Sequence, residues 1–105
     1  MALAGVHFEF GYQKKGSANP SPVLGPLTDS ESQPSTFSIT TKAAPVVDMQ
    51  GDPAINVVAA ADGYVTFGQP PKDPSVAANK RRFVQASTPI CFIVNAGDQA
   101  WYAVA

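Results

Sequence analysis

Val6-His7-Phe8-Glu9-Phe10-Gly11-Tyr12 alternates large apolar residues with polar or small ones. Successive side chains of an extended chain point to opposite faces. Val6, Phe8, Phe10 and Tyr12 therefore share one face, and His7 and Glu9 the other. Residues 4–12 read as a strand with one buried face, ended by Lys14-Lys15-Gly16.

The same period recurs downstream. Residues 36–42 (TFSITTK) place Phe37 and Ile39 on one face and Thr36, Ser38 and Thr40 on the other. Residues 43–49 read as a short continuation or edge strand, because Pro45 cannot donate to a ladder. Gln50-Gly51-Asp52-Pro53 reads as a turn. Further strands are expected at 55–60 (INVVAA), 64–68 (YVTFG), 81–86 (RRFVQA), 90–95 (ICFIVN) and 99–104 (QAWYAV). Asp62-Gly63 between the first two reads as a tight hairpin turn. The stretch 90–95 is apolar on both faces, with Ile90, Phe92 and Val94 on one and Cys91 and Ile93 on the other, so it is expected to be central. No 11-residue window carries a helical period. About seven strands at this spacing predict an all-β fold, a small antiparallel β-sandwich or jelly roll.

Residues 16–35 interrupt the pattern. Pro20, Pro22, Pro26 and Pro34 fall among serines and threonines, and repeated proline opposes both helix and ladder. The span reads as a long Pro/Ser-rich loop or arm, with Val23, Leu24 and Leu27 as the apolar residues able to dock it. The whole chain, 1–105, reads as a single domain around this loop.

Size and composition bound the rest. A folded chain of this mass should expose about 5,600 Å², against about 16,000 Å² unfolded, enough burial for one thin core. Apolar residues make up 45% of the 105, which excludes a disordered chain, and charged residues only 14%, which leaves association weakly opposed. The net charge of −1 lacks the basic excess of a nucleic-acid binder. No window approaches a membrane-spanning length of apolar residues. The start, Met1-Ala2-Leu3-Ala4-Gly5, lacks the basic region of a secretory leader, so none is expected.

The chemistry-bearing residues are few. Cys91 and His7 are each the only one of their kind. An intrachain disulfide is excluded, and a His/Cys metal site lacks its usual three or four ligands. A catalytic dyad or triad would have to use His7, whose nearest same-face acid is Glu9. The plainer reading of His7 is a solvated or interface side chain. Cys91 reads as a structural thiol, or as an interchain disulfide if its strand lies at a subunit contact. Lys80-Arg81-Arg82 is the one basic cluster, suited to a phosphate, a partner carboxylate or the charged guard of an edge strand. Asp48, Asp52, Asp62, Asp73 and Asp98 fall in expected turns. Neither a phosphate-cradling glycine loop nor a calcium loop is present in the sequence. No catalytic, cofactor or metal residue is assigned.

Three pieces of the second half carry a resemblance. They are Asp62-Gly63-Tyr64-Val65-Thr66-Phe67-Gly68, Phe83-Val84-Gln85-Ala86-Ser87-Thr88-Pro89, and Ala96-Gly97-Asp98-Gln99-Ala100-Trp101. With the strands between them they resemble small structural proteins encoded among the virion genes of tailed bacteriophages, over residues 55–105. The resemblance implies a head-decoration, neck or collar component located in the virion. Its partners would be further copies of itself and a capsid or connector protein, with neither nucleic acid nor membrane as partner. It implies no enzyme and no cofactor. Val23, Leu24, Leu27, Arg81, Arg82 and Cys91 are the candidate interface residues. A second reading is a carbohydrate-binding sandwich of a phage tail or fibre, with Trp101, Tyr102, Tyr64 and Asp98 against a glycan. A cupin-like enzyme is a third, weakened by the lone histidine.

Overall fold

The computed structural model describes residues 5–13, 27–34, 39–46, 51–76 and 78–105. Among them the fold is all-β: seven strands in two antiparallel sheets, as the sequence pattern predicts. The strands are β1 (Val6–Gln13), β2 (Leu27–Gln33), β3 (Asp52–Ala59), β4 (Gly63–Gly68), β5 (Arg82–Val84), β6 (Ile90–Ile93) and β7 (Gln99–Val104). The four-stranded sheet runs β2-β1-β3-β6 and the three-stranded sheet β5-β4-β7.

The core lies between the sheets. Val6, Phe8 and Phe10 of β1 and Ile55, Val57 and Ala59 of β3 are fully buried. Val65, Val84, Ala100 and Tyr102 face them from the three-stranded sheet in the same cluster. The alternation read in β1 is therefore the register observed, with Tyr12 also buried and its hydroxyl donating to the Val46 carbonyl at 2.8 Å. Tyr102 is buried with its hydroxyl donated to the Ala61 carbonyl, which meets the need of a buried phenol for a partner.

Four expectations are corrected. Residues 27–33, read as part of a loop spanning 16–35, form β2, whose register with β1 runs from Val6↔Gln33 to Gly11↔Leu27. Pro26 and Pro34 bracket this window without entering it, so its main chain is free to pair. Residues 16–26, including Val23 and Leu24, lie outside the described residues. Asp62-Gly63 closes no hairpin, because β3 and β4 belong to different sheets and the turn carries the chain between them. Gly63 answers to crowding there: a Cβ would lie 2.5 Å from the Ala103 carbonyl oxygen. Asp52 and Pro53, read as a turn, begin β3. Pro53 accepts from the Val94 amide at 3.0 Å; its missing donor faces that same side, at the end of the β3–β6 ladder, where it costs little.

The fourth correction concerns β6. It pairs only with β3, from Ala54↔Ile93 to Val57↔Ile90, and is an edge rather than a centre. The face assignment holds: Phe92 and Val94 pack against the core, while Ile93 is 55% exposed.

Part of the strand expected at 36–42 is seen as a fringe of the three-stranded sheet. Ile39 bridges Trp101, and the Thr40 amide donates to the Ala100 carbonyl at 3.0 Å. Ala44 continues the contact by donating to the Asp98 carbonyl at 2.8 Å. Residues 36–38 lie outside the described residues.

Candidate assembly edge

β5 and β6 come together on one flank of the sandwich. The link between them crosses from one sheet to the other and is pinned at two points. The Ala86 amide donates to Asp62 Oδ1 at 2.7 Å, and the Ser87 amide to the Ala59 carbonyl at 2.7 Å. Ser87 takes a φ of 58° at this crossing. Both strands are sheet edges, and among the described residues no strand pairs their outer sides.

The side chains on this flank mix cations with apolar surface. Arg82 holds its guanidinium 5.8 Å from the Phe92 ring, and Phe92 in turn lies 5.1 Å from Phe67, joining the two sheets. Arg81 stacks on Tyr64 at 3.7 Å and donates to the Pro74 carbonyl at 3.1 Å. Phe83, edge-on to Tyr64 at 5.7 Å, is 50% exposed. Of the candidate interface residues, Arg81, Arg82 and Cys91 thus gather at β5 and β6. Leu27 opens β2 at the opposite edge of the four-stranded sheet. The exposure of Ile93 and Phe83 is not legible in the sequence, because a position on an edge leaves no mark in an apolar stretch.

β2 and β6 are edges of different character. β2 carries Asp29, Ser30, Glu31 and Ser32, the charged and polar dressing that keeps an edge from pairing. β6, Ile90-Cys91-Phe92-Ile93, carries no charge at all.

A row of polar groups crosses the outer face of the four-stranded sheet. Ser30, Glu9, Asn56 and Cys91 stand opposite one another on β2, β1, β3 and β6. Asn56 donates to Glu9 Oε1 at 3.0 Å and is buried, with its Oδ1 unpartnered. His7 lies 3.8 Å from Glu9 Oε2, and its Nδ1 is 2.7 Å from the Ser32 hydroxyl. Burial pushes the Cys91 thiol above its ordinary pKa, and the Glu9 charge pushes it the same way. That environment disfavours the thiolate, the form that acts as nucleophile or metal ligand. Among the described residues no group of three His, Cys, Asp or Glu is placed to hold a metal.

The glycan candidates do not converge. Tyr102 faces the core, and Asp98 is buried, accepting from the Asn95 amide at 3.0 Å and from Gln69 Nε2 at 3.3 Å. Tyr64 is covered by Arg81. Trp101 stands opposite Thr66 on the outer face of the three-stranded sheet.

No protein-family model, curated protein or solved structure matches this chain. The functional reading therefore rests on the residues themselves.

Proposed function

We propose that the chain is a structural subunit of a tailed-phage particle, a head-decoration, neck or collar component. In this reading it works by self-assembly and by binding a capsid or connector protein, without catalysis. The observation that carries the assembly part is the uncharged β6 edge, with Ile93 exposed on the outer face of the four-stranded sheet and Phe83, on the linked β5 edge, exposed on that of the three-stranded sheet. An unguarded edge presents free main-chain donors and acceptors, and a second strand added to it satisfies both chains. The virion setting rests on the resemblance of residues 55–105.

Size decides how much of the flank must take part. Four residues of extended chain span about 13 Å, too little for the roughly 1,000 Å² that a stable interface buries. The contact must also take in β5, where the exposed Phe83 and the cation Arg82 suit an apolar and acidic counterpart.

Native mass spectrometry of the purified chain tests the reading. An oligomer is expected, and Ile93→Lys is expected to shift it to monomer. Ile93 is exposed, so the substitution should change subunit stability by no more than about 0.5 kcal/mol. A chain monomeric at high micromolar concentration, or an oligomer indifferent to Ile93→Lys, would overturn the edge as interface. Absence of the chain from purified phage particles would overturn the virion setting.

A further inference from the structure

A cleft of about 510 Å³ opens beside the end of β4, lined by Thr66, Phe67, Gly68, Pro70, Lys72 and Lys80 with Ala78 and Asn79. Its volume falls in the range of small-molecule sites. Residues 70, 72 and 78–80 form its outer wall, and hydrogen bonds tie this wall to itself and to β4. Asn79 Nδ2 donates to the Asp73 carbonyl at 2.8 Å, and the Thr66 hydroxyl donates to the Lys72 carbonyl.

The charge around it is one-sided. Four of the chain's seven Lys and Arg fall within residues 72–82. Among the described residues none of these four forms an ion pair, whereas Lys42 pairs with Asp29. The one acid in the loop, Asp73, is turned to Ser75, accepting from its amide at 2.9 Å and its hydroxyl at 2.7 Å. Lys72 and Lys80 thus bring two positive charges to the cleft with no carboxylate of the described chain to balance them.

We infer that this cleft binds a small phosphorylated compound bearing hydroxyl groups, of the sugar-phosphate class. Lysine amines are compact point charges suited to a phosphate. The neutral groups select the remainder of the ligand. Thr66 and Asn79 have given hydrogens to the loop main chain, which leaves the Thr66 oxygen and Asn79 Oδ1 as acceptors for ligand hydroxyls. Phe67 and Pro70 supply an apolar surface for the carbon skeleton. The inference is independent of the assembly reading, since β6 contributes nothing to the lining.

Titration calorimetry of the full chain with inorganic phosphate and with ribose 5-phosphate tests it. Both are expected to bind saturably, the sugar phosphate about tenfold more tightly because it also engages the acceptors. Lys80→Gln and Lys72→Gln should each weaken both by roughly tenfold, and Lys42→Gln, on a cation already paired with Asp29, should weaken neither. Absence of saturable binding overturns the inference, as does binding unchanged in both cleft variants. Equal affinity for the two probes overturns the sugar-phosphate class. Binding of a tetraglutamate peptide with no binding of either phosphate assigns the cleft to an acidic peptide instead.

Discussion

Phe10→Ala is expected to lower unfolding stability by about 3–5 kcal/mol, the usual result of emptying a fully packed aromatic site. Phe10 is fully buried on β1, between β2 and β3, with its ring 6.4 Å from that of Phe8. A small domain has about 5–15 kcal/mol in all, so the variant should stand close to unfolding. Phe92→Ala should cost only about 1–3 kcal/mol. Its ring is partly buried, it belongs to a strand with one partner, and solvent can enter where it is removed. Urea denaturation of both variants checks the order. A larger loss at Phe92 than at Phe10 would show that β6 anchors the core, against the topology described here.

The contrast between β1 and β6 also shows what a sequence conveys. Over Val6–Phe10 of β1 one face is buried and the other only half-buried, so alternation registers the fold directly. In β6 both faces are apolar, and a four-residue apolar run reads the same whether a neighbour covers it or solvent does. Phe92 faces inward as expected, yet Cys91 and Ile93 mark the outer side of an edge. β2 fails for a different reason. Its inward position at Glu31 is filled by a carboxylate whose partners lie ten and eleven residues on, at Thr41 and Lys42. No local pattern announces such a pairing. The Asp62-Gly63 signal is local too, and it reports a turn without reporting which sheets the turn joins. The candidate site was legible only in parts. Arg81, Arg82 and Cys91 could be singled out by residue type, but their placement at two neighbouring edge strands depends on the sheet-crossing link between β5 and β6. The lysines of the cleft are eight residues apart in a proline-bearing loop, and only the fold brings them to one cavity.

Glu31→Ala is expected to be the most damaging single change outside the apolar core, a loss on the order of 3 kcal/mol. Hydrogen bonds to a charged group contribute about 1.5–3 kcal/mol each, and several that share one carboxylate do not add fully. The Glu31 carboxylate accepts from the Thr41 amide at 3.0 Å, the Thr41 hydroxyl at 2.9 Å, the Lys42 amide at 3.0 Å and the Gln33 side-chain amide. Asp29 adds an exposed ion pair to Lys42 at 2.9 Å. Together they fasten segment 39–46, which fringes β7, to the far edge of the other sheet. Without the carboxylate, two main-chain donors lose their acceptor and the sandwich loses a tie between its sheets. Burial acts to raise the Glu31 pKa, but the hydrogen bonds from Gln33, Thr41 and Lys42 outweigh it and hold it below 4.5. The sign follows from that direction. A carboxyl whose folded pKa is depressed stabilises fully above its unfolded value and loses that contribution as pH falls through the folded one. Wild type and Glu31→Gln should therefore differ most in urea midpoint near pH 7. The gap should hold down to about pH 5 and close as the pH falls below 4.5. A gap of the same size at pH 7 and pH 3 would mean that the charge of Glu31 contributes nothing and that the tie is held by shape alone.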